Sequence, residues 1–205
     1  IDHFRGLEAV WMIDAKNDNA VDGHWQQTPG DELLSMIEKD IGPVPMVAED
    51  LGIITDAVRK LKQKHKLPGM AVLQFGFDDF EDNPHKPRNI TENTVAYTGT
   101  HDNNTLRGWF SSLSVQQQEH VRHTIGISPQ DDIVWSMIES SMFSRACLSV
   151  IPMQDFLELG EDARLNTPGT MEGNWNWMLS MESLDNDLQL RIHDLLNESG
   201  RLANE

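Results

Sequence analysis

Short apolar runs that break off in polar residues recur along this chain. Val44, Met46, Val47 and Ala48, with proline before them and glycine after, run into Glu49 and Asp50. Such a run is too short for a helix and predicts a fully buried strand. The pattern returns at 70–73, leading into Gln74 and Phe75, at 94–97, leading into Thr100-His101-Asp102-Asn103, and at 147–151, leading into Pro152, Gln154 and Asp155. Helix-period stretches at 31–40, 55–66 and 131–145 lie between these runs. Strands alternating with helices predict βαβ units and a parallel sheet. In a parallel barrel the C-terminal strand ends are where catalytic groups gather, so the polar residues after each run are the first candidates for chemistry.

The remaining stretches fit around this frame. Residues 1–4 read as a strand tip carrying Asp2, with Arg5-Gly6 turning the chain away into the Trp-containing apolar segment 7–13. Residues 17–30, rich in Asn, Asp and Gly, predict a loop, and the helix starting near Asp31 places Leu33, Leu34 and Ile37 on one face. Thr55 predicts an N-cap, and the lysines at 60–66 suit the C-terminal end of the helix that follows. The carboxylate-rich stretch 77–93 predicts a long solvated loop. Helices at 105–110, 114–125 and 131–145 predict a helical insertion between the last two strands. A short helix at 153–160, a second ordered loop at 166–176 and a terminal amphipathic helix at 184–196 complete the chain.

Composition narrows the partners. With 39% apolar residues over 205 positions, one domain, 1–205, is expected. A net charge of −17 opposes nucleic acid and anionic membrane surfaces and leaves neutral ligands open. Cys147 is the only cysteine. It lies in an apolar run, predicting a buried inert thiol and a reducing compartment. There is no apolar run of about eighteen residues and no basic-then-apolar start, so a cytoplasmic protein is expected. The chain opens on Ile1 in mid-pattern, which predicts a piece of a longer polypeptide.

Three carboxylates, Asp2, Glu49 and Asp102, each stand at the tip of a different predicted strand. Retaining glycosidic chemistry needs one carboxylate as nucleophile and one protonated acid, about 5–5.5 Å apart, around an oxocarbenium-like transition state. His3 and His101 add neutral donors for hydroxyl groups at the same rim. A metal reading of these His–Asp pairs lacks close spacings such as HExxH, so neither metal nor cofactor is expected. Among the tryptophans, Trp135 lies in a helix and predicts core, whereas Trp175 and Trp177, in an Asn/Gly loop, are the better platforms for a sugar ring.

The stretches IDHFRG, VPMVAEDLGIIT, LPGMAVLQFGFDD, YTGTHDNNT and IPMQDFLELGEDARLNTPGTMEGNW together resemble the 4-α-glucanotransferases called amylomaltases or disproportionating enzymes, the seventy-seventh family of glycoside hydrolases. The resemblance implies an α/β fold, the C-terminal half of a (β/α)₈ TIM barrel beginning at the tip of the fourth strand. It implies transfer of α-1,4-glucan segments between maltodextrins by double displacement, with Asp2 as nucleophile, Glu49 as general acid/base and Asp102 as transition-state stabiliser. It further implies His101 at the donor sugar's hydroxyls, Phe75 and Asp79 near the acceptor, and the Asn166 loop as a lid. The family's arginine two residues before the nucleophile would precede Ile1. The missing N-terminal half of the barrel is therefore the expected partner, and residues 1–205 alone are expected to be inactive. A retaining α-glucan hydrolase and a silent carbohydrate-binding or structural fragment are the alternatives.

Overall fold

The computed structural model describes residues 1–202 of an α/β chain that divides into two compact units, Ile1–Met70 and the residues from Ala71 onward.

The first unit opens with a 3-10 turn, Phe4–Leu7, followed by β1 (Ala9–Ile13), β2 (Gly23–Gln27), α1 (Gly30–Ile41) and α2 (Asp56–Lys64). β1 and β2 form an antiparallel hairpin with Trp11 opposite Trp25. The sequence pattern placed residues 23–27 in a loop, and the structure corrects this. The segment GHWQQ is exposed throughout and shows no alternation. It is held instead by the edge-to-face Trp11–Trp25 pair, with ring centroids 5.4 Å apart, a cross-strand contact that hydropathy does not register.

The run 44–48 is a second correction. It forms no regular strand, and of its residues only Ala48 is buried; Val44 is 36% exposed. Ile1 N donates to Val47 O and Glu49 N donates to Ile1 O, the pattern of one parallel bridge, while on the other side Ala48 N donates to Pro68 O. Pro43, Pro45 and Pro68 supply no N–H, which interrupts the ladder on both sides. Around this stretch Phe4, Leu34, Ala48, Val58 and Leu67 form the core of the unit. Thr55 caps α2 as expected, its Oγ1 accepting from Val58 N at 3.4 Å.

The second unit contains a three-stranded sheet in the order β3 (Gly69–Val72, starting at the junction), β4 (Thr94–Tyr97) and β5 (Leu148–Val150). β4 and β5 run parallel, with Val95 opposite Leu148 and Tyr97 opposite Val150. Between them lie α3 (Leu106–Ser112), α4 (Val115–Ile125) and α5 (Ile133–Met142), the helical insertion that the pattern predicts. α6 (Met153–Phe156) and α7 (Asn186–Glu198) follow. Leu73, Ile90, Ala96, Leu106, Val121, Met137 and Ile138 build the core. Trp135 joins it at 3% exposure, and the Arg191 guanidinium of α7 lies 3.6 Å from its ring centre.

The last strand is less buried than its composition suggests. β5 is the edge of the described sheet, its Leu148 is 52% exposed, and Cys147 before it is exposed too, with Sγ 3.3 Å from Thr94 O. The expectation of a buried thiol is thus corrected. Among the described residues no helix is long and apolar enough to cross a membrane.

α4 starts with a capping box: Ser114 Oγ accepts from Gln117 N at 3.3 Å, and Gln117 Oε1 accepts from Ser114 N at 3.0 Å. Ser114→Ala leaves the Gln117 amide without its side-chain partner. It is expected to destabilise the protein by about 1 kcal/mol, read as a lower urea midpoint at unchanged slope, with Ser114→Thr close to the parent.

Candidate active site

In the first unit the backbone brings Asp2 and Glu49 to the same place. Glu49 N donates to Ile1 O at 2.9 Å, and Phe4 N donates to Glu49 O at 2.9 Å, so Asp2 and His3 are bracketed by two residues bonded to Glu49. Phe4, with no exposed surface, anchors this short excursion in the core. His3 adopts φ 44°, ψ 59°, a left-handed conformation uncommon for a residue with a Cβ and one that the surrounding structure must hold. Arg5 reinforces the tip, donating from Nη1 to Ile53 O at 2.7 Å with its guanidinium 4.1 Å from the Trp25 ring centre.

The neighbouring carboxylates Glu49 and Asp50 have separate fates. Asp50 is consumed by structure: it pairs with Lys62 and accepts from Met70 N at 2.8 Å. Glu49 is half-buried, and its Oε1 accepts from Leu51 N at 3.2 Å. Neither caps α2, since Thr55 does so. The pair therefore resolves into one structural carboxylate and one available for chemistry.

In the second unit Asp102, His101, Asn166 and Trp175 come together. Asn166 Nδ2 donates to Asp102 Oδ1 at 2.5 Å, His101 Nε2 lies 3.4 Å from the same oxygen, and the His101 and Trp175 rings are 5.3 Å apart. Trp175 is 60% exposed and sits at φ 62°, with its N donating to Leu165 O at 2.7 Å. An exposed indole beside an imidazole and a carboxylate offers a flat apolar face next to hydrogen-bonding groups, which suits a sugar ring. Phe75 packs edge-on against His85 at 5.6 Å, and Asp79 is exposed on the loop that follows. Neither is hydrogen-bonded to the Asp102 group among the described residues.

In the same unit Asp155 is 1% exposed; its Oδ2 accepts from Thr98 Oγ1 at 2.6 Å and its Oδ1 from Leu106 N at 2.8 Å. Burial pushes its carboxyl up from the ordinary range, with the Leu106 amide and the Thr98 hydroxyl pulling the other way. No group of three or more His, Cys, Asp or Glu side chains among the described residues is arranged to hold a metal ion.

The profile of the 4-alpha-glucanotransferase family matches residues 1–184. The chain belongs to that family. It is 43% identical over 205 residues to the chloroplastic/amyloplastic 4-alpha-glucanotransferase of Arabidopsis thaliana, covering 98% of this chain and 36% of that protein. Against the 4-alpha-glucanotransferase of Thermus thermophilus the identity is 41% over 209 residues, covering 98% and 42%. The structure of an amylomaltase from Streptococcus agalactiae in complex with acarbose superposes with a TM-score of 0.93 at 33% identity, covering 98% of this chain and 41% of that one. The chain thus spans about two-fifths of the length of these 4-alpha-glucanotransferases.

One residue of the candidate site escaped sequence reasoning, and the contacts of another did. Arg164 donates from Nη2 to Asp102 O at 2.7 Å and from Nε to Asn166 O at 2.9 Å, tying the two loops together. Asp155 was visible as a polar residue after an apolar run, but its contacts with Thr98 and Leu106 were not. Arg164 lies inside one of the stretches that carry the family resemblance, which is the only signal that singles it out.

Proposed function

We propose that this chain supplies the catalytic carboxylates of a retaining 4-α-glucanotransferase, carried on the C-terminal half of a (β/α)₈ barrel. The observation that carries the reading is the likeness over 98% of the chain to an amylomaltase solved with acarbose. In the proposed cycle the Asp2 carboxylate attacks C1 of an α-1,4-linked glucosyl unit, and Glu49 gives its proton to the departing O4, freeing the reducing-end segment. A glucosyl ester on Asp2 results. The 4-hydroxyl of an acceptor glucan then attacks C1 while Glu49 takes back its proton, and the C1–Asp2 bond breaks. Two inversions restore the α linkage.

Asp102, fixed through Asn166, is the proposed stabiliser of the oxocarbenium-like state. His3 and His101 would bind sugar hydroxyls and Trp175 would stack on a ring, with Phe75 and Asp79 on the acceptor side and the Asn166 loop closing over the glucan. The negative net charge fits a neutral substrate rather than nucleic acid. The exposed free thiol of Cys147 fits the cytoplasm, where thiols stay reduced. Because the chain spans two-fifths of its relatives' length, we assign the activity to a full-length protein carrying this sequence.

The test is to incubate that full-length protein with maltotriose and follow both product sizes and reducing ends. Transfer yields longer and shorter maltodextrins at a constant number of reducing ends. A steady rise in reducing ends would mark a hydrolase, and no change in sugar size would mark a binding or structural protein.

A further inference from the structure

We infer that Asp155 is a positioning residue for Asp102: its buried carboxylate staples together the two ends of the segment 99–105, on which His101 and Asp102 stand. Thr98 follows β4 directly and Leu106 opens α3, so the two donors are the residues immediately flanking that segment. One carboxylate oxygen takes each: Oδ2 accepts from Thr98 Oγ1 at 2.6 Å, Oδ1 from Leu106 N at 2.8 Å. Thr98 has no exposed surface and Asp155 almost none, so no water competes for these bonds.

Within the stapled segment the chain is further pinned. Thr100 N and Oγ1 both donate to Asn103 Oδ1, at 2.9 and 2.8 Å, and Gln74 Nε2 donates to Asn104 O at 2.8 Å. Asp102 itself is exposed, as are His101 and Trp175. A loop with exposed side chains acquires a defined geometry only if its ends are fixed, because each unpinned residue retains backbone entropy.

The bland alternative is that Asp155 merely caps a helix. α3 already has its side-chain cap, Thr105 Oγ1 accepting from Gly108 N at 3.1 Å, and Asp155 meets the buried Leu106 N–H besides; capping does not account for the second bond, from Thr98 at the other end of the segment. Keeping a carboxyl in this interior is costly, as the upward push on its proton affinity shows, and that cost is offset only by the two bonds at the ends of the segment. Sugar transfer depends on holding charged groups at their working positions, where a displacement of about 1 Å costs on the order of 10²-fold in rate.

The inference rests on the reading of Asp102 as transition-state stabiliser, and the experiment separates the two. In the full-length protein, kcat and KM for maltotriose disproportionation and the thermal unfolding midpoint are measured for Thr98→Val, Thr98→Ser, Asp155→Asn and Asp102→Asn. Thr98→Val keeps the volume and removes one arm of the staple. Its kcat is expected to fall about 10- to 100-fold, with KM little changed because what is lost is transition-state geometry. Thr98→Ser, which retains the hydroxyl, is expected to recover most of kcat. If Asp102→Asn is inactive while Thr98→Val and Asp155→Asn only lower the unfolding midpoint and keep the parent's kcat when folded, the staple is structural and the inference is overturned. If Asp102→Asn itself keeps the parent's kcat, the reading of the site fails and takes the inference with it.

Discussion

Replacing Glu49 with glutamine in the full-length protein is expected to lower turnover about 10²- to 10⁴-fold, the range general acid/base catalysis supplies. Glucan binding is expected to survive. The Glu49 backbone is held by Ile1 and Phe4, and an amide oxygen can still accept from Leu51 N, so the substitution leaves the site's geometry in place. What it removes is a proton that must leave and return in each cycle. Steady-state kinetics on maltotriose together with calorimetric titration of maltodextrin check both halves of the statement. Asp50→Asn is the contrast: it removes the ion pair with Lys62 and is expected to cost stability rather than chemistry. Activity of Glu49→Gln within twofold of the parent would remove Glu49 from the mechanism.

A larger loss is expected for Asp2→Ala. Without a carboxylate at C1 there is no covalent intermediate, and losses of nucleophiles in other covalent mechanisms reach about 10⁴-fold or more. The loss carries a diagnostic rescue. Azide can enter the space left by the side chain and displace the leaving group in a single step, so the product should be the β-glucosyl azide, inverted at C1. An α-azide would mean that a covalent intermediate still forms and that Asp2 is not the nucleophile.

What could be read in advance and what could not divide along a physical line. The capped start of α2 at Thr55, the strand 94–97 and the burial of Trp135 all follow from local periodicity and capping chemistry, and the structure shows each of them. β2 was hidden because GHWQQ has no alternation, and its cross-strand contact between Trp11 and Trp25 does not register in hydropathy. The run 44–48 reads as a buried strand on hydropathy, but hydropathy does not count the missing proline N–H groups.

The same division runs through the site. Asp102 stood out as a candidate because it follows an apolar run and sits among His and Asn, and the structure groups it with His101, Asn166 and Trp175. Arg164 and the staple at Asp155 were not, because their partners lie 62, 57 and 49 residues away in sequence and only the tertiary fold brings them together. Cys147 shows the converse: an apolar run does not bury a thiol when its strand is the edge of the described sheet.

The most direct measurement is to locate the covalent sugar. The full-length protein is mixed with a fluorinated glucosyl donor, whose deglucosylation is slow, then quenched, digested and analysed by mass spectrometry. Retaining chemistry at this site predicts one added hexosyl group on the peptide containing Asp2, absent from the Asp2→Ala variant. An adduct on the peptide carrying Glu49 or Asp102 would contradict the assignment of roles, and turnover of the donor with no adduct on any peptide would contradict the double displacement itself.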